Sequence, residues 1–292
     1  MDIIKGTGVA LVTPFNEDFS IDFKSLENII NNVINGGVDF LVVLGTTGES
    51  VVLNKYERRE VIDFCIRINN NRLPIVLGLG SNNTLDLIKE IKLTNFSGID
   101  AILSVSPYYN KPTQDGIYLH YSMIAEVSPV PIIIYNVPGR TATNITSDTT
   151  IRLANDFKNI IAIKEASGDL KQIEQIIKYR PKDFLVLSGD DELTLKIIDL
   201  GGDGVIAVIG QAYPEIFSNM VSQIIKGNIK RAIEFHKSLV LIYPPLYNDG
   251  NPAGIKASLN IMGICKNVVR PPLVPVSESV YNKLKEIISG SS

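Results

Sequence analysis

Ile160-Ile161-Ala162-Ile163-Lys164-Glu165-Ala166-Ser167-Gly168 runs from four apolar residues into a lysine, an acid and a turn. In a chain that alternates strands with helices, this stretch predicts a buried parallel strand with an amine at its C-terminal mouth. Desolvation favours the neutral form of an amine, and a neutral amine attacks carbonyl carbon. Taken alone, Lys164 reads more readily as a side chain snorkelling into solvent, or as half of a buried ion pair. The residues at the other strand ends reverse that weighting.

The same rhythm extends in both directions. Predicted strands are Val9–Val12, Phe40–Leu44, Ile75–Leu79, Ala101–Val105, Ile132–Tyr135, Ile160–Lys164, Leu185–Leu187 and Gly204–Val208. Predicted helices follow them in turn at Phe23–Asn35, Lys55–Asn69, Leu85–Asn95, Asp115–Glu126, Ser147–Asp156, Leu170–Tyr179, Glu192–Leu200 and Pro214–Ile225. Gly36-Gly37, Gly98 and Gly201-Gly202 fall just before strands, where helix C-caps belong. Eight such units predict an α/β fold, a (β/α)8 TIM barrel over residues 1–226. An open doubly wound sheet is the structural alternative. Gly6-Thr7-Gly8, however, precedes its strand and does not match a dinucleotide loop.

From Gly227 the pattern changes. Ile229–Tyr243, Ala253–Met262 and Ser277–Ile288 read as helices with no strands between them, punctuated by Pro244-Pro245 and Pro271-Pro272. Residues 227–292 are expected to form a helical domain on the barrel, with Gly290-Ser291-Ser292 frayed.

A net charge of −3 implies no broad basic surface for nucleic acid. Cys65 and Cys265 fit a reducing compartment and no disulfide framework. His120 and His236 form no cluster with cysteine, so no zinc site is expected and each reads as packed or superficial. Met1-Asp2-Ile3-Ile4-Lys5-Gly6 lacks the pattern of a signal peptide, and the apolar runs are too short for a membrane span. A cytoplasmic protein with no membrane partner is expected.

Barrel chemistry gathers at the C-terminal strand ends. After the second strand comes Gly45-Thr46-Thr47-Gly48-Glu49-Ser50, whose amides and hydroxyls suit a carboxylate, or simply turn the chain into the next helix. After the fourth comes Ser106-Pro107-Tyr108-Tyr109-Asn110-Lys111-Pro112. After the fifth, Tyr135 needs a partner or a task for its hydroxyl, and Arg140 beyond Pro138-Gly139 presents a planar fork to a carboxylate. Asp190 and Asp191 after the seventh strand read as caps of the next helix, with a divalent-metal site as the minority reading. A lysine, tyrosines, threonines and an arginine, with no metal or nucleotide motif, suit Schiff-base chemistry on an oxo-acid. A phosphate-binding barrel would leave Lys164 without a task. A non-catalytic member of the fold would lack the lysine or the tyrosine.

These residues resemble the dihydrodipicolinate synthase / N-acetylneuraminate lyase family of class I aldolases along essentially the whole chain. The carriers are Gly45-Thr46-Thr47-Gly48-Glu49-Ser50, Tyr135-Asn136-Val137-Pro138-Gly139-Arg140 and Ile163-Lys164-Glu165-Ala166. Arg140 and the double threonine point to the synthase branch, although some sugar-acid aldolases share the threonine loop. The resemblance implies condensation of pyruvate with L-aspartate 4-semialdehyde, without a cofactor, in diaminopimelate and lysine synthesis. It implies that Lys164 forms the imine, Tyr135 is the general acid/base, and Thr47 links Tyr135 to Tyr109 of a neighbouring subunit. Thr46 and Thr47 would hold the pyruvate carboxylate, Gly189 and Ile206 would line its pocket, and Arg140 would receive the semialdehyde carboxylate. A homotetramer built as a dimer of dimers is implied. An allosteric lysine site is implied around Ser50, Lys55, Arg58, Asn82, Asp86 and Tyr108. Two cations there, Lys55 and Arg58, lead us to expect weak or absent inhibition by lysine.

Overall fold

In the computed structural model, which describes residues 4–290, eight parallel strands close on themselves. They are β1 (Gly6–Ala10), β2 (Phe40–Val43), β3 (Ile75–Gly78), β4 (Ala101–Val105), β5 (Ile132–Asn136), β6 (Ile160–Glu165), β7 (Leu185–Ser188) and β8 (Gly204–Ala207). The barrel helices are α1 (Phe23–Asn35), α2 (Lys55–Asn69), α3 (Thr84–Leu93), α4 (Gln114–Val127), α5 (Pro138–Thr141), α6 (Ser147–Asp156), α7 (Leu170–Tyr179), α8 (Thr194–Asp199) and α9 (Pro214–Ile225). A helical extension follows, with α10 (Ile229–Leu239), α11 (Tyr243–Asn248), α12 (Ala253–Ile261) and α13 (Glu278–Gly290). Helix α10 packs on α9, and α13 packs on α11 and α12. Met1–Ile3 and Ser291–Ser292, where an absent leader and a frayed end were expected, lie outside the described residues. No helix among the described residues is long and apolar enough to cross a membrane.

Two apolar layers organise the barrel. Outward strand residues such as Val9, Leu41, Ile102 and Ile163 join the helices in one core. Inward residues such as Phe40, Leu103, Ile133, Leu187 and Ile206 fill the barrel itself. Strand β6 breaks the alternation. Ile132 pairs with Ile160 but Ile133 pairs with Ala162, so Ile161 is an inserted residue. Both Ile161 and Ala162 face the interior. One extra residue reverses the parity of everything after it. Lys164 therefore points into the barrel, where strict alternation from Ile161 would turn it out.

Three expectations shift. Strand β1 starts three residues before the predicted Val9. Its ladder to β8 runs through Gly6 and Gly204, and a Cβ on Gly204 would stand 2.2 Å from Gly6 O, so these glycines permit the close approach. The predicted helix Ile229–Tyr243 ends at Leu239, and a second helix begins at Tyr243. Pro244 and Pro245 start α11 instead of ending a longer helix, because a first turn needs no N–H donor there. The third shift is α5, an unexpected turn opening on Pro138, which carries Arg140.

Candidate active site

Lys164 lies at the mouth of β6, 5 % exposed, in register with Tyr135 on β5 and Leu187 on β7. Its Nζ stands 4.5 Å from the centroid of the Tyr135 ring. No ion pair among the described residues involves it, so it is neither a snorkelling lysine nor half of a salt bridge. The next residue turns the other way. Glu165 is fully buried and accepts from Asn136 (3.0 and 3.2 Å), Gln172 (3.0 Å) and Ser167 N (2.7 Å). Burial raises its pKa, and those donors offset part of the rise. This acid ties β5, β6 and α7 together behind the lysine.

Gly189 follows β7, and its N–H donates to Glu165 O at 2.8 Å. A Cβ there would meet Ala166 Cβ at 2.6 Å and Lys164 Cε at 3.1 Å, so only glycine leaves the lysine its place. Lys164, Tyr135, Thr46, Thr47, Arg140 and Gly189 share the wall of one cavity of about 340 Å3. Ile206 packs in the apolar layer of the barrel. Tyr109 is 87 % exposed with φ +75°, a left-handed conformation uncommon for a bulky residue, and it does not line this cavity within its own chain. Thr47 Oγ1 is bonded not to either tyrosine but to Asn251 Nδ2, at 2.9 Å.

The loop after β2 is held from far along the chain. Thr13 Oγ1 donates to Gly48 O at 2.7 Å. Glu49, at φ +53°, is buried against Lys256 of α12 at 2.5 Å and also accepts from Arg270 N at 3.0 Å. Lys256 in turn donates to Val268 O at 2.9 Å and lies 4.1 Å over the Phe15 ring. Burial pushes the Lys256 pKa down and Glu49 opposes that shift.

The two aspartates after β7 divide the task expected of both. Asp190 accepts from Leu193 N at 3.0 Å, beside the start of α8. Asp191 does not cap that helix. It is buried and accepts from Val208 N, Ile209 N and the Tyr247 hydroxyl (2.5 Å), locking the end of β8 to α11. Burial raises its pKa while these donors lower it. Among the described residues no group of three or more His, Cys, Asp or Glu is placed to hold a metal.

Sequence reasoning missed the contribution of the helical extension. Tyr243, Pro244, Tyr247 and Asn251 line the cavity, as do Glu192 and Val208. Only the turn signal Gly250-Asn251-Pro252 hinted at an unusual segment there. His120 lies outside this cavity, with Thr84 Oγ1 2.9 Å from its Nδ1, and burial pushes its pKa down to about 4. Cys65 and Cys265 are both free and buried.

The six residues of the implied lysine site fall beside two adjoining cavities. Ser50, Arg58 and Tyr108 line one of about 470 Å3, and Lys55, Arg58 and Asp86 line one of about 660 Å3. Asn82 donates to Tyr108 O at 3.2 Å. Glu90, absent from the sequence reading, borders both cavities and pairs with Arg58 at 3.1 Å.

A family model described as the dihydrodipicolinate synthetase family matches residues 4–291. The chain is 52 % identical over 284 residues to a 4-hydroxy-tetrahydrodipicolinate synthase from Flavobacterium psychrophilum, covering 97 % of each. It superposes on the crystal structure of the dihydrodipicolinate synthase from Thermotoga maritima with a TM-score of 0.96, at 38 % identity and 99 % coverage of both chains. A dihydrodipicolinate synthase from Acinetobacter baumannii, complexed with pyruvate, gives 0.95 at 38 % identity, again over 99 % of both chains. The chain belongs to the dihydrodipicolinate synthetase family.

Proposed function

We propose that this chain condenses pyruvate with L-aspartate 4-semialdehyde to 4-hydroxy-2,3,4,5-tetrahydrodipicolinate, in diaminopimelate and lysine biosynthesis. The observation that carries this reading is a buried amine without a carboxylate partner among the described residues, set against Tyr135, with Thr46, Thr47 and Arg140 on the same cavity wall. Lys164 attacks C2 of pyruvate and water leaves. Tyr135 takes a methyl proton as the iminium becomes an enamine. The enamine carbon bonds to the aldehyde carbon, whose oxygen takes up a proton. The substrate's own amine then attacks the imine carbon, closes the ring and releases Lys164. Thr46 and Thr47 hold the pyruvate carboxylate, Gly189 and Ile206 shape its pocket, and Arg140 receives the second carboxylate.

The active assembly is a dimer of dimers in which Tyr109 serves the neighbouring site. The exposure and left-handed backbone of Tyr109 support that reading, and sedimentation velocity showing an active monomer would defeat it. Free, buried cysteines suit a reducing cytoplasm. Lysine inhibition is weak or absent. Asp86 already pairs with Lys89 and Glu90 with Arg58, so a cationic effector finds those carboxylates engaged. Half-inhibition by micromolar lysine would contradict this.

The decisive assay compares pyruvate consumption with the semialdehyde against pyruvate release from sialic acid and from 2-keto-3-deoxygluconate. Turnover with the semialdehyde alone is expected. Release from a sugar acid without semialdehyde activity would move the chain to a catabolic branch.

A further inference from the structure

Two walls of the cavity meet on one buried carboxylate that the chemistry above does not use. Asp191 accepts from Val208 N at 3.0 Å and from Ile209 N at 2.7 Å, which fixes the chain just past β8. It also accepts from the Tyr247 hydroxyl at 2.5 Å, which fixes α11. Val208 and Tyr247 both line the cavity shared by Lys164 and Arg140.

Helix α11 has little room to move. Tyr243 and Leu246 are buried in the core. A Cβ on Gly254 of α12 would stand 1.9 Å from Leu246 O, so the two helices touch backbone to backbone. Tyr243 and Tyr247 lie one turn apart on one face of α11, and both line the cavity. Tyr247 is 38 % exposed, so its ring is presented to the opening while its hydroxyl is tied down behind it.

The pin acts on the outer part of the cavity. Ile206 belongs to the apolar filling of the barrel, and Val208 follows just beyond the C-terminal end of β8, nearer the mouth. Arg140 stands at the same mouth, with Asn251 O accepting from its guanidinium at 3.2 Å. The Tyr247 ring cannot swing aside without taking a donor from a buried carboxylate, which is unfavourable. The wall therefore holds its place when a ligand presses on it. At about 340 Å3 the cavity is small for a ligand site, so each methylene of an occupant counts.

We propose that Tyr247, pinned by Asp191, is a specificity-determining residue that selects four-carbon ω-oxo acids over longer ones. The aldehyde must reach the enamine on Lys164 while the carboxylate sits on Arg140, and an extra methylene has to bulge into the Tyr247 ring. This assignment rests on the roles given to Lys164 and Arg140 above.

Succinic semialdehyde and glutaric semialdehyde test it. Both carry the aldehyde and the carboxylate but lack the amine that closes the ring, and they differ by one methylene. Each is measured as an inhibitor competing with L-aspartate 4-semialdehyde. One methylene in a closed pocket is worth about 10–200-fold, so the unsubstituted protein should favour the shorter aldehyde by about tenfold or more. Tyr247→Ala should shrink that preference to about threefold or less. Tyr247→Phe keeps the ring but loses the pin, so its preference should fall between the two. Its KM for L-aspartate 4-semialdehyde should rise by about 3–10-fold, with kcat and the pyruvate KM within about twofold. A loss of stability alone would leave both the preference and that KM where they were.

Borohydride trapping of labelled pyruvate separates this proposal from the reading beneath it. If the unsubstituted protein traps no pyruvate, the site reading fails and the proposal falls with it. If trapping is normal but the unsubstituted protein does not distinguish the two aldehydes, or Tyr247→Ala keeps the full preference, the proposal alone is overturned. Should Tyr247→Ala not fold, an unchanged preference and semialdehyde KM in Tyr247→Phe overturn it equally.

Discussion

Lys164 at the mouth of β6 and Lys256 on α12 are both buried lysines, and the molecule treats them in opposite ways. Lys256 is fully enclosed, with a carboxylate at 2.5 Å, a backbone carbonyl at 2.9 Å and an aromatic face at 4.1 Å. Lys164 is almost as buried, yet it has the Tyr135 ring beside it, a cavity in front and no ion-pair partner among the described residues. Burial alone therefore does not separate the two lysines; what surrounds the head group does. A buried lysine whose head group is fully paired is a structural part, whereas one that faces a cavity has room beside it for a ligand.

Exchanging each lysine for a neutral residue should separate the two roles. Lys164→Ala is expected to abolish the borohydride-trappable adduct and to cut kcat by roughly a thousandfold or more, with the melting temperature nearly unchanged. Persistent pyruvate-dependent labelling would remove Lys164 from the mechanism. Lys256→Met leaves Glu49 buried and uncompensated, so a stability loss of about 3–5 kcal/mol is expected in urea unfolding. Combining it with Glu49→Leu should recover much of that loss. If the single Lys256 variant unfolds at the wild-type midpoint, the pair is not structural in this sense.

Arg140 probes the cavity from its other end. Truncation to alanine should lower kcat/KM for the semialdehyde by about 10–100-fold, the worth of a charged hydrogen bond of about 1.5–3 kcal/mol, while pyruvate trapping survives. Unchanged steady-state constants for the semialdehyde would remove the arginine from that role.

His120, another buried titratable group, lies outside the cavity and tests burial without chemistry. Its folded pKa lies near 4, below the ordinary 6.5, so the unfolded chain binds the proton first. Its contribution to stability is present above about pH 6.5 and drains away as pH falls towards 4, at no more than roughly 1.4 kcal/mol per pH unit. Thermal melts of His120→Gln should show a flatter acid limb than the unsubstituted protein, and an equally steep limb would refute the assignment.

The eight-unit rhythm was legible because each strand is a compact apolar run covered on both faces, and each helix opens or closes on a recognisable cap. The residues at the strand ends were legible for the same reason, since a chain that alternates so regularly tells which loops share one face. What stayed hidden depends on pairing across the fold. Nothing local marks Ile161 as the inserted residue that turns Lys164 inward, because the shift exists only against Ile132 and Ile133 of the neighbouring strand. Asp191 looked like a helix cap from its position, yet its partners are Val208, Ile209 and Tyr247, up to 56 positions away. The proline pair at 244 and 245 was read as punctuation between helices, and it lies inside the first turn of α11, a placement set by where the preceding helix ends.

Glu49 belongs to the loop after the second strand, but Lys256 and the Arg270 amide reach it from 207 and 221 residues further on. A ribosome delivers the chain from its N-terminus, so all eight strands and Lys164 emerge before either of these partners exists. During that interval Glu49 has no counter-ion and Thr47 has no Asn251 amide beside it. Completion of the cavity is thus a late event in the life of each molecule, and a nascent barrel carries Lys164 before it holds the segment that closes the wall around it.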